Sequence, residues 1–277
     1  MNGVTMAVRR VSPAPTPPDP VALARRLERA AAEQLARAGA PGLAGALAVA
    51  GGLAVSKGPR SRSSAAFGLG LHGPVSPEDL DRVEAHLGAL GGEVRVELCA
   101  GADPALAAEL ARRGYRVERF LLVLSRPVPG ATSAATARAR RSEVRELRSG
   151  EERAFAEVFA LAHLGASAAG DAVEGLLDVP RAEGSTCFAA LDGEAIVGVA
   201  VVSAHAGVAA LSGAGVLPAW RGRGLHLALV QARLAWAERR GCDVAASDVE
   251  PGGASQRTLE RAGLRVAYPK AVMVRGG

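Results

Sequence analysis

Lysine is nearly absent: Lys57 and Lys270 are the two lysines in a chain of 277 residues whose Lys and Arg together number 33. The basic character is therefore arginine. The net charge of +5 is spread among acids and forms no aromatic-interleaved basic patch, which argues against nucleic acid as the partner. Aromatic residues make up 3% against 49% hydrophobic residues in all, so the core must be packed from Ala, Leu and Val. Cys99, Cys187 and Cys242 are odd in number and far apart, with no C-x-x-C pair and no His cluster, which excludes a disulfide framework and a metal site. A reducing, cytoplasmic setting is expected. No run of strong hydrophobes is long enough to span a bilayer, and Met1–Pro20 lacks the apolar stretch of a secretory signal.

What is present is an alternation of helical and extended patterns. Ser12-Pro13-Ala14-Pro15-Thr16-Pro17-Pro18 cannot donate a regular ladder, so 1–20 reads as a flexible arm. Leu23, Leu27, Ala31 and Leu35 recur at a spacing of four, which predicts an amphipathic helix over Val21–Ala38, ended by Gly39 and Pro41. Strand signals follow at Leu47–Val55 and Ala65–Leu71. Ser76 and Pro77 open a helix whose buried face is Leu80, Val83, Leu87 and Leu90. A strand over Val94–Leu98, a helix over Pro104–Arg113 and a strand over Val117–Leu124 complete a first segment, 21–126. The Pro, Gly, Ala and Ser of 127–142 read as a linker to a second segment, 143–277.

The second segment opens with a strand near Val144–Leu147 and a capping box at Ser149-Gly150-Glu151-Glu152, which launches a helix through Leu164. Phe155, Val158, Phe159 and Ala162 are core contacts. A short helix at Val173–Leu177 precedes a hairpin, Thr186–Leu191 and Ala195–Ser203, turned at Asp192-Gly193. The next strand, Val208–Val216, contains Gly213 and Gly215, which mark a bulge or a close backbone approach. A long helix, a strand at Val244–Ser247, a helix at Ala254–Ala262 and a strand at Ala267–Val274 follow.

The informative stretch is Val216-Leu217-Pro218-Ala219-Trp220-Arg221-Gly222-Arg223-Gly224-Leu225-His226-Leu227: a strand end, a glycine turn and a helix start. The first N–H groups of a helix have no internal partners and sit at the positive end of its dipole, so such a turn attracts phosphate. It is not a P-loop, which needs Gly-Lys-Ser/Thr. It is not a dinucleotide fingerprint either, which needs a third glycine where Leu227 stands.

The stretch resembles the acyl-CoA pyrophosphate loop of the GNAT N-acetyltransferases, Gln/Arg-x-x-Gly-x-Gly/Ala. Arg221 and Gly224 match, and His226 departs from the last position. Ser255-Gln256-Arg257-Thr258-Leu259-Glu260-Arg261-Ala262-Gly263-Leu264 is similar to that superfamily's second conserved helix. The resemblance implies acetyl-CoA as co-substrate, held by Val216, Leu217, Arg221, Gly222, Arg223, Gly224, Leu225, His226, Leu227 and Ser255. It also implies a bulged strand that splays from its neighbour so the pantetheine arm lies between them. The acid expected on the strand before the loop is missing, and Leu259 stands at the position of the family's usual tyrosine. Candidates for proton transfer are then Glu250, Asp248, Tyr268 and His205, with Glu250 favoured slightly over Asp248. No cysteine has an activating base in sequence, so direct transfer is expected.

Leu110-Ala111-Arg112-Arg113-Gly114-Tyr115-Arg116-Val117 lines up with Leu259-Glu260-Arg261-Ala262-Gly263-Leu264-Arg265-Val266, each after a strand and a helix and before a terminal strand. The fold class expected is α/β with a mixed sheet, built as two tandem GNAT-like domains. In the first, Leu71-His72-Gly73-Pro74-Val75-Ser76-Pro77 stands where the phosphate loop belongs, and Pro74 and Pro77 remove donors from it. That domain is degenerate. The leading function is acetyl transfer to a primary amine of a small molecule or peptide. The alternative is an inactive acyl-CoA-binding sensor. No membrane or nucleic-acid partner is expected, and a homodimer is allowed.

Overall fold

The computed structural model describes residues 19–38, 45–58, 61, 63–89, 91–129, 144–165, 169–177 and 179–276. The arm expected over 1–20 and most of the linker expected over 127–142 lie outside these residues. Among the described residues no helix is long and apolar enough to cross a membrane.

Helix α1 (Pro20–Arg37) starts where Asp19 accepts from the Val21 amide at 3.0 Å. Strands β1 (Gly45–Val49), β2 (Gly52–Ser56) and β3 (Ala65–Phe67) follow, then α2 (Pro77–Gly88), β4 (Val94–Cys99), α3 (Pro104–Arg112) and β5 (Arg116–Pro127). The single strand signal at Leu47–Val55 is a hairpin. Ala50 (φ 47°) and Gly51 (φ 75°) turn the chain left-handed, which the uniform run of small apolar residues conceals.

The second half runs β6 (Val144–Glu146), α4 (Glu152–Leu164), α5 (Ala169–Leu176), β7 (Ser185–Asp192), β8 (Ala195–His205), β9 (Val208–Val216), α6 (Leu225–Arg239), β10 (Val244–Val249), α7 (Ala254–Arg261) and β11 (Arg265–Arg275). The capping box expected at Ser149 does not form. Glu151 instead turns back, its carboxylate accepting from Arg145 (2.7 Å) and from the Arg148 amide (2.8 Å), and the helix begins at Glu152. Ser255 is the second residue of α7, whose N-cap is Gly253. Gln256 supplies the local closure by accepting from the Gly252 amide at 2.7 Å.

All eleven strands form one sheet in the order β1-β2-β3-β4-β11-β5-β10-β9-β8-β7-β6. The pattern is symmetric about the antiparallel β11–β5 pair. On one side lie β4 (antiparallel to β11), β3 (parallel to β4) and β2; on the other lie β10 (antiparallel to β5), β9 (parallel to β10) and β8. Each half thus places its last strand inside the other half's sheet. The repeat legible in sequence extends over β1 to β5 and β7 to β11. Its closing turns coincide bond for bond: Tyr115 donates to Leu110 and Leu264 to Leu259, both at 3.0 Å, across Gly114 (φ 84°) and Gly263 (φ 91°).

One face of the sheet carries α1 and α4. Leu27 and Ala30 of α1 pack on Val123, Val208, Val244 and Ala246, while Phe155 and Val158 of α4 pack on Cys187, Val199 and Val201. The other face carries α2 and α3 over the first half. There α6 and α7 cover the second half with Leu225, Leu229, Val230, Leu234, Trp236 and Leu259. Core side chains are aliphatic, as the scarcity of aromatics requires. Where β4, β10 and β11 pass under α1, Lys270 is buried among carboxylates, with Glu97 at 2.5 Å and Glu28 and Asp248 each at 3.4 Å.

Candidate functional site

Strand β9 is where the sheet opens. Against β8, Val199 pairs with Gly215 and Val201 with Ser212, so two residues of β9, Gly213 and Ala214, oppose Ala200 alone. This is the bulge expected from the glycines, and Gly213 adopts φ 54°. On its other edge β9 pairs with β10 through Val208–Ala210 against Val244–Ala246. Beyond that point Ser247 Oγ donates to the Leu211 carbonyl at 2.7 Å, and the two strands part. A cleft therefore widens from Leu211 and Ser247 toward Val216 and Val249.

The bulge is held from within. Arg233 is 1% exposed and lies on the α6 stripe of Leu225, Leu229 and Ala237. Its Nη1 donates to the carbonyls of Val201 (3.1 Å) and Ser212 (3.2 Å), and its Nε donates to Leu229 (3.1 Å). Burial lowers its pKa to about 9, so it remains a cation at neutral pH. These bonds satisfy carbonyls that the bulge takes out of the ladder.

At the wide end of the cleft a 3-10 turn, Pro218–Trp220, leads into the exposed loop 221–224 and α6. Gly222 (φ 77°) and Gly224 (φ 83°) are left-handed, and a Cβ on either would meet nothing within 4 Å. Glycine is required there by backbone shape, and the surrounding space is open to a ligand. The first helical bond runs from the Ala228 amide to the Gly224 carbonyl, and no side chain caps this helix. The amides of Leu225, His226 and Leu227 are therefore presented outward with no acid in the first turn.

The side chains around the loop divide into anchors and exposed groups. Arg221 donates through Nε to the Val216 carbonyl and through Nη2 to Ala162, each at 3.1 Å, and so ties the loop to the end of α4. Trp220 Nε1 donates to Asp192 at 2.7 Å, and Arg223 reaches the same carboxylate at 4.0 Å. Leu225 is buried; Val216 and Leu217 border the core beneath the loop. His226 is half-buried, and burial, aided by Arg233, His163 and Arg261, lowers its pKa to about 4. Ser255 is exposed on α7.

Of the proton-transfer candidates, Asp248 is on the α1 face of β10, with one oxygen 3.4 Å from Lys270 and a largely open side chain. Glu250 follows the end of that strand and is exposed. Tyr268 is turned beneath α1, where its hydroxyl donates to Glu28 at 2.8 Å; burial and that carboxylate push its pKa far upward. His205 stands at the far end of β8 beside Arg37 (3.3 Å). Sequence reasoning missed two groups: Arg233, whose signal is an arginine interrupting the apolar series 225, 229, 237, and His163. The latter sits four residues after Phe159 at the end of α4 and packs against it with the rings tilted by 39° and their centroids 4.5 Å apart. A Cβ on Gly215 would lie 2.7 Å from Ala162 Cβ and 3.1 Å from His163 Nε2, so the bulged strand is pressed against this histidine.

In the first half the corresponding loop is anchored at its start, although a Cβ on Gly73 would meet nothing within 4 Å. Leu69 and Leu71 are buried, the Leu71 carbonyl accepts from Arg25 of α1 at 2.7 Å, and the Gly70 carbonyl accepts from Asp103. Ser76 caps α2 by accepting from the Asp79 amide at 3.1 Å, and Glu78 and Asp79 lie in its first turn.

The bulged strand that splits from its parallel neighbour and ends in an uncapped glycine turn lies within a segment that resembles a known family. The segment 152–264 matches the family model "Acetyltransferase (GNAT) family", and the chain carries this domain in a tandem GNAT fold. A GCN5-related N-acetyltransferase from Kribbella flavida is similar over 92% of this chain and 96% of its own, at 18% identity and TM-score 0.66. A tandem GNAT protein from the clavulanic acid biosynthesis pathway is similar over 92% and 94%, at 13% identity and TM-score 0.55. A GCN5-related N-acetyltransferase from Sphaerobacter thermophilus is similar over 72% of this chain and 65% of that one, at 20% identity and TM-score 0.54. No curated protein sequence matches the chain.

Proposed function

We propose that the chain transfers an acetyl group from acetyl-CoA directly to a primary amine of a small molecule or peptide, using the second half as its catalytic domain. The observation that carries this reading is the continuity of the uncapped α6 start with the cleft between β9 and β10. The diphosphate takes the amides of Leu225, His226 and Leu227, with Gly222, Arg223 and Gly224 folded around it. Arg221 holds the loop in place, and the pantetheine arm follows Val216 and Leu217 into the cleft. The thioester supplies the activated acyl carbon. The protein's part is to align an amine against it and exclude water.

Direct transfer agrees with the state of the thiols. All three cysteines are buried, and burial raises the pKa of Cys187 to about 12 and those of Cys99 and Cys242 above their usual range. None is prepared as a nucleophile. Asp248 and Glu250 place carboxylates at the end of β10, which favours an acceptor carrying positive charge.

The second reading, an acyl-CoA sensor without turnover, is favoured by one observation: Val208–Val216 of β9 carries no carboxylate beside the cleft. Calorimetry with acetyl-CoA, followed by detection of free CoA against polyamines, aminoglycosides, amino acids and peptides, separates the two. Binding with turnover is the result expected. Binding without turnover establishes the sensor, and no binding removes both.

A further inference from the structure

The geometry points to His163 as the group that takes the proton from the acceptor amine, an assignment that rests on the acyl-CoA reading of the cleft. The imidazole is at the C-terminal end of α4, on the same sheet face as Asp248, and it meets β9 at the bulge. The Ala214 backbone lies close enough to the ring to favour its protonated form, against the effect of burial. Phe159 supports the ring from the side, and the missing side chain of Gly215 provides the space it occupies. The residue is solvent-accessible, so an incoming amine reaches it.

The charged groups that face it are Arg221 from the loop and His226 from α6. Glu174 of α5 is turned to Arg153, and β8 and β9 offer no titratable side chain along Ile196–Val202 or Leu211–Val216. Burial lowers the His163 pKa, and Arg221 acts in the same direction, which favours the neutral imidazole. This location answers the missing acid of β9: the base comes from the helix packed on the bulge.

The step balances as follows. His163 takes one proton from the ammonium, and the freed nitrogen lone pair forms the C–N bond to the thioester carbonyl carbon. When the C–S bond breaks, the sulfur leaves with its electron pair. The second proton lost by nitrogen protonates that thiolate, and the proton held by His163 returns to solvent. The products are the amide, CoA thiol and one proton.

The test uses the full chain with His163→Gln and His163→Ala, and with His205→Gln as a control. Acetyl-CoA affinity is measured by calorimetry, and thiol release is followed with spermidine, tyramine, kanamycin, L-lysine, a lysine peptide and water as nucleophiles across pH 5–9. His163→Gln is expected to bind acetyl-CoA within about threefold of wild type and to lose a hundredfold or more in kcat, together with the acidic limb of the profile. Free imidazole is expected to restore part of the activity of His163→Ala. Failure of the wild type to bind acetyl-CoA would overturn the acyl-CoA reading. Intact binding with an unchanged acidic limb in His163→Gln, no imidazole rescue, loss of that limb in Glu250→Gln instead, or wild-type thiol release no faster than the uncatalysed rate would each overturn His163.

Discussion

Ser76 and Gly224 hold the same position in the two halves of the chain, the N-cap of the helix that follows a strand parallel to its neighbour. Ser76 closes its helix by accepting from Asp79, whereas Gly224, at φ 83°, offers its helix no side chain. The two helix starts also differ in charge. Glu78 and Asp79 occupy the first turn of α2, and no acid occupies that of α6.

Each chain is therefore expected to bind one acetyl-CoA, at α6. Gly224→Asp forces an L residue into left-handed backbone and sets a carboxylate at the dipole's positive end, and should weaken binding more than a hundredfold. Gly73→Asp, in the first half's loop, whose helix start is already capped by Ser76, should leave affinity within twofold. Calorimetric titration of both variants reads stoichiometry and affinity together. Two equivalent sites would contradict the assignment.

Arg221 acts through the loop's shape more than through its charge, because its guanidinium is spent on the carbonyls of Val216 and Ala162. Arg221→Lys keeps the charge and loses the fork, so it should weaken acetyl-CoA about as much as Arg221→Ala, on the order of tenfold. Arg223→Ala, which removes an exposed cation, should weaken it about threefold. Equal affinities for Arg221→Lys and wild type would show that charge alone matters there.

His226 gives the fold an acid-side weakness. It protonates at about 4 when folded against about 6.5 when unfolded. Between these values the unfolded chain holds more protons, so stability falls as pH is lowered through that window. Denaturant melts from pH 7 to pH 4 should show a shallower loss in His226→Gln than in wild type.

Lys270 is the cation shared by Glu28, Glu97 and Asp248 beneath α1, and its side chain is 1% exposed. Lys270→Met leaves those carboxylates uncompensated in the seam between the halves and should cost about 3–5 kcal/mol. Urea denaturation measures it. A cost under about 1 kcal/mol would mean that the cluster relaxes by taking up a proton, helped by the burial that already raises the pKa of Glu97.

The glycine turn before α6, the bulge and the repeat were legible because each depends on backbone shape, and glycine reports backbone shape locally. Gly213, Gly222 and Gly224 are all left-handed, and Gly114 and Gly263 close identical turns. What failed to show depends on contacts between distant segments. Ser149 looks like a cap until Arg145 claims Glu151. Tyr268 looks like a cleft residue until Glu28, some 240 positions away, claims its hydroxyl. His163 was hidden because a histidine ending an apolar helix face reads as packing, and the bulge it meets lies three strands later.

The exchange of β5 and β11 has a consequence for biosynthesis. When β5 emerges from the ribosome, the strand that must separate it from β4 has not been translated, and neither has β10 on its other side. At roughly 5–20 residues per second, the nascent first half waits on the order of ten seconds for both. During that interval β4 and β5 expose edges that native pairing will later cover. Release of Arg265–Arg275 then completes both halves at once, so a premature stop before this strand deprives the first half of its neighbour as surely as it shortens the second.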